Sequence, residues 1–358
     1  MNLKLFVKEK VVWMFYNFLM KYFLKIILLF PLFIYSQSKI DGFVKDEKGE
    51  PLFGVSIYVD GSTIGTNSDE NGYFSLIIPS ESNSILVIRT IGFRSEFYQI
   101  NTITKQLNVF LKEEVKELKE VVVRQNFFSR KQMLKLFKEQ FLGTNIAAKN
   151  CTIQNEEEIY FDYDRSTFKL VAYSDTPLII KNDYLGYQIS YQLVDFQCKF
   201  SKFSMNSEFV TQFQYAGNSL FTEIDSSSKI NKRRQKSYNG STLHFFRNLI
   251  ANKWGKDDFV LFEGSFVTNP QFHFKSTKLD NGMYKIEVLP KKSVGLINKR
   301  VNQFNILYDN YEQSKIQFFI SEFYVDTFGV FTNYESIIFS GAIVSKRVGD
   351  LLPTNFLK

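Results

Sequence analysis

Runs in which apolar and polar residues alternate dominate the first part of the chain. Between residues 38 and 112 such runs recur about every ten residues, and Gly, Asn, Asp and Pro, which favour turns, separate them. Residues 55–59 and 107–111 carry an apolar side chain at every second position, whereas residues 85–88 are continuously apolar, as in a central strand. The pattern predicts an all-β sandwich or barrel over residues 38–112.

Helical and strand patterns both occur in residues 127–358. Four apolar side chains in residues 129–142 fall on one helical face, after a serine that can cap the start and before a glycine that can end the helix. Residues 241–253 predict a second helix. Alternation over residues 189–193 and an Asp-Asn-Gly turn at 280–282 indicate hairpins. We therefore predict an α+β domain with mostly antiparallel strands, in a chain that is mainly β with some helix.

The start of the chain predicts a targeting signal. Two lysines precede ten apolar residues, 26–35, and Ser36 is small enough to precede a cleavage point. Ten helical residues span about 15 Å, half of a bilayer core, which favours a cleaved signal peptide over residues 1–36 rather than an anchor. Residues 1–19 precede a Met-Lys that resembles the natural start. We expect export to the periplasm, outer membrane or surface of a Gram-negative bacterium, with no transmembrane span in the mature chain.

The charge balance gives little support to a nucleic-acid partner. The formal net charge is +7, but five lysines and one glutamate lie in the predicted signal peptide, and the rest has 39 basic against 36 acidic residues. The aromatic content of 17% favours strands, because broad rings pack well on a pleated surface. We therefore expect no nucleic-acid partner.

The turn residues of the predicted sandwich carry a resemblance to a known domain. They are Asp46-x-x-Gly49-Glu50-Pro51-Leu52-x-Gly54-Val55-Ser56-Ile57, Gly65-Thr66-Asn67-Ser68-Asp69-Glu70-Asn71-Gly72-Tyr73-Phe74 and Gly92-Phe93. Together they resemble the carboxypeptidase regulatory-like domain, which implies a seven-stranded transthyretin-like sandwich and no peptidase activity. The acidic turn at residues 69–72 is also compatible with calcium, although an Asn-Gly hairpin is the commoner use of such a turn.

A charged linker is predicted at residues 113–126. It contains Glu120 to Val123, which resemble the segment that TonB-dependent outer-membrane receptors use to recruit their energy-transducing partner. However, 235 residues follow Val123, too few for a plug and a 22-stranded barrel at about ten residues per strand. We therefore expect a last strand or the edge of a linker here, rather than part of a transporter.

Residues 127–358 resemble an uncharacterised envelope family whose members carry the same sandwich. The residues that carry this second resemblance are Phe141-Leu142-Gly143-Thr144, Pro177-Leu178-x-Ile180-x-Asn182, Leu185-Gly186-Tyr187-x-Ile189-x-Tyr191 and Asp350-Leu351-Leu352-Pro353. The resemblance implies an architecture and no activity.

Motifs for catalysis or metal binding are scarce. His244 and His273 lie in no zinc-ligand spacing, and the sequence has neither a glycine-rich phosphate loop nor a G-x-S-x-G elbow. Acid pairs at 162–164 and 257–258 have the residue types for glycoside hydrolysis, but acids two apart on a strand or adjacent in a turn are usually solvated. We predict no catalytic residue, no cofactor and no metal.

One cluster of charge is a candidate site. Lys232, Arg233, Arg234 and Lys236 lie in a basic stretch, residues 226–236, which we interpret as a solvated loop. The alternative is a patch that binds an anionic ligand, such as lipopolysaccharide phosphate or an acidic glycan.

The two cysteines leave a second alternative open. In an oxidising compartment Cys151 and Cys198 can form a structural disulfide, or they can be two buried free thiols.

These patterns favour a non-catalytic binding or scaffolding protein of the envelope, with a protein, glycan or lipid partner. The alternative is an envelope hydrolase that acts on peptide or glycan through an acid pair. A small outer-membrane barrel ranks last, because charged residues interrupt the apolar runs and two helices intervene.

Overall fold

The computed structural model describes residues 37–79, 84–103, 106–114, 127–289 and 302–357. The signal peptide predicted at residues 1–36 lies outside these ranges, as do residues 115–126 of the predicted linker. The chain from Ser38 onward packs as one compact unit. None of the described helices is long and apolar enough to span a membrane.

The first described region is a sandwich of two sheets. Its strands are β1 (Gln37–Asp46), β2 (Ser56–Val59), β3 (Gly65–Asn67), β4 (Tyr73–Pro79), β5 (Ile85–Arg89), β6 (Glu96–Gln99) and β7 (Leu107–Leu111). One sheet has the strand order β4-β1-β7, with β1 parallel to β7, and the other has the order β3-β2-β5-β6. The predicted seven-stranded sandwich is confirmed.

The alternating residues form the core of this sandwich. Val55 and Ile57 are fully buried, and Val59 is buried beside them. Strand β5, the continuously apolar run, lies between β2 and β6, as predicted for a central strand. The turn before β4 requires glycine, because Gly72 has a φ of +74° and a Cβ there would lie 2.4 Å from the carbonyl oxygen of Val44.

The second described region contains four helices and fourteen strands, whose bounds are as follows. They are α1 (Arg130–Phe141), α2 (Ile146–Lys149), β8 (Cys151–Ile153), β9 (Ile159–Asp164), β10 (Lys169–Ser174), β11 (Leu178–Asn182), β12 (Tyr187–Phe200), β13 (Val210–Glu223), α3 (Ser228–Tyr238), α4 (Thr242–Ala251), β14 (Phe259–Glu263), β15 (Phe266–Val267), β16 (Phe274–Lys278), β17 (Tyr284–Val288), β18 (Asn302–Tyr308), β19 (Glu312–Phe318), β20 (Glu322–Val325) and β21 (Ile337–Gly341). Its strand pairs are antiparallel, which confirms the predicted fold class.

The first core of this region lies between α1 and a six-stranded sheet. The sheet has the order β8-β11-β12-β10-β9, and β13 pairs along the length of β12. Helix α1 begins with a capping box between Ser129 and Gln132, as a serine before an amphipathic run predicts. Its Phe137 and Phe141 are fully buried, and the Phe137 ring centre lies 4.7 Å from that of Phe196 in β12.

The second core lies between α4 and two smaller sheets. Their strand orders are β15-β14-β18-β19-β21 and β16-β17-β20. Phe245 and Phe246 of α4 are fully buried there, and the Phe246 ring stacks on Phe331 with 4.2 Å between centres. Leu243, from the same helix, packs against the first core. Helix α4 is therefore shared by both cores, which explains why it is apolar on more than one face.

Cys151 and Cys198 are both free thiols. Cys151 begins β8 and is aligned, through Asn182 of β11, with Tyr187 of β12. Cys198 lies eleven residues further along β12, about 35 Å away at the rise of a strand. A disulfide requires Cα atoms less than about 7 Å apart, so the bond that the sequence left open is not formed. Burial raises the pKa of each thiol to about 12.

Candidate anion-binding site

The basic stretch at residues 226–236 is helical from Ser228 onward, so the loop interpretation is wrong. The Ser227 side chain caps α3 by accepting from the Ile230 amide. Ile230, Arg234 and Tyr238 recur at every fourth position and are buried. The sequence does not show a helical repeat of apolar residues here, because Arg234 occupies the central buried position of α3.

Arg234 anchors α3 to the rest of the protein. It is 3% exposed and forms an ion pair with Glu223 at the end of β13. Its guanidinium also donates to three backbone carbonyls, those of Leu185, Gly186 and Asp225. The guanidinium carbon lies 3.9 Å from the ring centre of Tyr187. These contacts occupy the charged group, so Arg234 serves to position the helix and is not part of an exposed patch.

The opposite face of α3 is basic, with three exposed lysines and a half-buried arginine. Lys229, Lys232, Arg233 and Lys236 follow the spacing i, i+3, i+4, i+7, which places them on one side of a helix. With Tyr184 and Ser228 they line a groove of about 500 Å³. The structure therefore brings together three of the four predicted residues, replaces Arg234 by Lys229, and adds an aromatic side chain.

Tyr184 orients one of these cations. The guanidinium carbon of Arg233 lies 4.6 Å from the Tyr184 ring centre, and Nη1 donates to the Tyr184 carbonyl at 3.4 Å. A guanidinium over an aromatic face is attracted by the ring quadrupole and loses rotamer freedom. Neither sequence spacing nor composition identifies Tyr184, because 49 positions separate it from Arg233.

The charges around the groove are of one sign. Neither α3 nor the set of residues that line the groove contains Asp or Glu. Like charges three or four positions apart repel by about 0.2–0.5 kcal/mol per pair. A bound anion relieves this repulsion, and a guanidinium beside several ammonium groups suits phosphate or carboxylate oxygens. The arrangement can therefore bind an anionic group.

One acid of each candidate pair is engaged in local contacts. Asp164 closes a turn by accepting from Ser166 and Thr167, and these hydrogen bonds lower its pKa to about 2. Asp258 accepts from the Asn248 amide at 3.0 Å and lies 3.1 Å from the Lys253 ammonium.

The two histidines lie in packed surroundings. His244 is 7% exposed, its Nδ1 accepts from the Gly240 amide, and its ring centre is 4.8 Å from that of Tyr238. Burial lowers its pKa to about 4. His273 Nε2 lies 2.7 Å from the Thr268 hydroxyl. Within the described ranges, no group of three or more His, Cys, Asp or Glu side chains is arranged to hold a metal.

In the acidic turn at residues 69–72, the Asp69 side chain is bonded to backbone amides of the turn. One carboxylate oxygen of Asp69 accepts from the amides of Asn71 and Tyr73, both at 2.9 Å. This is the hairpin use of the Asn-Gly pair.

Comparison with known proteins identifies the first region. Residues 40–123 match the family model described as the CarboxypepD_reg-like domain. The sandwich is a CarboxypepD_reg-like domain. The resemblance inferred from its turn residues is thereby confirmed, whereas the second resemblance, over residues 127–358, stays a prediction.

Two curated relatives are similar to about a quarter of the chain. The chain is 37% identical over 87 residues to the TonB-dependent receptor SusC of Bacteroides thetaiotaomicron, which is 24% of this chain and 8% of the receptor. It is 34% identical over 99 residues to the TonB-dependent receptor P3 of Formosa agariphila, 27% of this chain and 10% of the receptor. The chain therefore spans a tenth or less of the length of these relatives.

The CarboxypepD_reg-like domain docks on the edge of β13. The Gly61 amide donates to the Ser219 carbonyl at 2.7 Å, and the Phe221 amide donates to the Ser62 carbonyl at 2.9 Å. Asp60 accepts from the Ser219 amide at 2.7 Å, and burial raises its pKa. Residues 60–62 thus act as a short parallel strand added to the larger sheet.

Landmarks from three of the four segments of the second resemblance meet around Gly349 and Asp350. The Gly349 amide donates to the Leu142 carbonyl, and the Asn182 side chain donates to the Gly349 carbonyl, each at 2.9 Å. Asp350 accepts from Ser237 of α3 at 2.8 Å. These segments therefore hold α1, β11 and α3 in register, which is a structural role.

Proposed function

We propose that this chain is a non-catalytic binding protein of the bacterial cell envelope and that it holds a phosphate-bearing ligand on the exposed face of α3. The observation that carries the proposal is the set of four cations around one groove, on a helix fixed from behind by buried Arg234. The similarity of the CarboxypepD_reg-like domain to parts of two TonB-dependent receptors supports a place in the envelope and a binding role.

Binding of the full chain to inorganic pyrophosphate and to phosphorylated lipopolysaccharide, measured by isothermal titration calorimetry, tests the proposal. The double variant Lys232→Glu/Lys236→Glu should bind at least about tenfold more weakly, because two attractive contacts become repulsive. Binding should also weaken as salt is raised, since exposed charges are screened. Binding of pyrophosphate would indicate that the phosphate group alone is recognised, whereas binding of lipopolysaccharide only would indicate that the lipid is also required.

A matched control separates a site from general attraction. Lys131 and Lys135 of α1 are exposed and have the same four-residue spacing as Lys232 and Lys236. Lys131→Glu/Lys135→Glu changes the net charge by the same amount and should leave binding within about twofold of wild type. Equal losses in both double variants would refute a localised site. Binding of alginate, a carboxylate polymer, in preference to both phosphates would refute a phosphate-bearing ligand.

Hydrolysis is the competing outcome. Turnover of a peptide or a polysaccharide by the purified chain, abolished when one acid such as Asp258 is replaced by Asn, would assign an envelope hydrolase instead.

A further inference from the structure

A second cavity, of about 570 Å³, opens where the CarboxypepD_reg-like domain meets β13. Most of its walls come from β3 of the domain, the last residues of β13, and Pro353 with residues 355–357, and Tyr187 of β12 and Arg234 of α3 complete the lining. It lies on the side of α3 that carries Arg234, so it is separate from the basic groove lined by Lys232 and Lys236. Its volume is within the range of sites for small molecules.

The cavity exists because two neighbouring segments diverge. Residues 60–62 follow the edge of β13, but the next amide, that of Thr63, donates to the Asn355 side chain at 3.1 Å instead. Asn355 in turn donates to the Thr63 hydroxyl at 2.7 Å. A Cβ at Gly65 would lie 3.2 Å from the Leu220 side chain, so β3 closes against β13 there. Beyond that contact the space stays open between Thr66 and Thr222.

The lining is rich in small hydrogen-bonding groups. The residues that line it include Thr66 and Thr222, which carry hydroxyls, Asn67, which carries an amide, and Glu223, a carboxylate whose side chain is 47% exposed. The half-buried ring of Phe356 supplies an apolar surface beside them. Hydroxyls, an amide and a carboxylate all bond to hydroxyl groups, and the carboxylate can accept from two of them at once.

The charged groups of the cavity favour a neutral occupant over an anionic one. Glu223 is the acid of the lining and Arg234 its base, and the two are paired with each other. Because the N–H groups of Arg234 are also bonded to the Asn231 side chain and to three backbone carbonyls, they are not available to donate to a ligand. A neutral ligand with many hydroxyl groups matches this balance.

We propose that this cavity binds a neutral saccharide of one or two rings, in contact with both the CarboxypepD_reg-like domain and β13. The hydroxyl groups of the sugar bond to Thr66, Asn67, Thr222 and Glu223, and its C–H face lies against Phe356. This site is distinct from the proposed anion-binding face and does not depend on it.

Calorimetric titration of the full chain with glucose, galactose, maltose and cellobiose tests the proposal. Thr66→Val and Thr222→Val keep the shape of each side chain and remove its hydroxyl, and valine suits a strand. Each should weaken saccharide binding about fivefold, the value of one hydrogen bond. Thr211→Val, an exposed position on β13 outside the cavity lining, should bind as wild type does.

Three results would overturn the proposal. They are the absence of binding to all four sugars, equal binding by the wild type and both cavity variants, and preference for a short neutral peptide over every sugar. The double variant Lys232→Glu/Lys236→Glu should keep saccharide binding, so failure of the anion-binding face and failure of this cavity are separable.

Discussion

Replacement of Arg247 by Met should loosen the segment at residues 353–357 and destabilise the whole unit. Arg247, in α4, is 8% exposed, and its guanidinium donates to the carbonyls of Phe328 at 2.8 Å, Phe356 at 2.8 Å and Thr354 at 2.7 Å. Met keeps most of the length of the side chain and its apolar stem, and removes the donors and the charge.

The size of the effect follows from where the three carbonyls lie. Phe328 is 5% exposed in a packed turn, so its carbonyl loses a charged donor without access to water, at a cost of about 2 kcal/mol. The carbonyls of Thr354 and Phe356 are hydrated once their segment is released, so each contributes about 0.5 kcal/mol. The expected loss is about 3 kcal/mol, or a fall in Tm of about 6 °C for a chain of this size.

Two measurements check this prediction. Urea unfolding followed by tryptophan fluorescence gives the free energy, and hydrogen exchange reports the Thr354 amide, which donates to the Gly61 carbonyl at 2.7 Å. Arg94→Met, at an exposed arginine, is the control and should change stability by less than about 0.5 kcal/mol. If the free energy of unfolding of Arg247→Met is within about 1 kcal/mol of the wild-type value and the Thr354 amide stays protected, Arg247 does not hold residues 353–357 in place.

Three further predictions concern pH, the docking edge and the helix anchor. Burial lowers the pKa of His244 from 6.5 to about 4, so its stabilising contribution is complete above pH 6.5 and is lost as the pH falls through about 4. Between pH 7 and pH 4 the wild type should therefore lose about 3 kcal/mol more than His244→Phe in urea unfolding. Gly61→Val should lower the free energy of unfolding by about 1–3 kcal/mol more than Gly54→Val does. Both glycines have positive φ, but a Cβ at Gly61 would lie 3.1 Å from the Thr354 side chain, whereas one at Gly54 would have no atom within 4 Å. Equal losses in urea unfolding would argue against tight docking of the domain. Arg234→Met should lower the free energy of unfolding by about 3 kcal/mol, whereas Arg233→Met should cost under 1 kcal/mol, and similar values for the two would contradict the anchor.

Local signals in the sequence were enough for the sandwich and for two helices. Alternation over residues 55–59, the Asn-Gly turn before β4 and the serine caps of α1 and α4 act over a few residues, so the sequence displays them directly. Helix α3 was missed because its inward face contains Arg234, which is buried through carbonyl groups rather than through apolar contact.

The docking of the CarboxypepD_reg-like domain has no signature in the sequence. Asp60 and Asn218 are 158 positions apart, and the contacts beside them join backbone amides and carbonyls that every residue has. The sequence likewise displays the basic residues at 226–236, but it does not show which of them share a face. The structure shows that α3 places Lys229, Lys232, Arg233 and Lys236 on one side, and that the Tyr184 ring lies against Arg233.

Residues 353–357, which contact Gly61, Thr63 and Arg247, are synthesised after every element that they touch. A nascent chain can fold the CarboxypepD_reg-like domain early, but it cannot complete the edge against β13 until Thr354 and Asn355 have emerged. Until then the contacts of Gly61 and Thr63 with Thr354 and Asn355 cannot form.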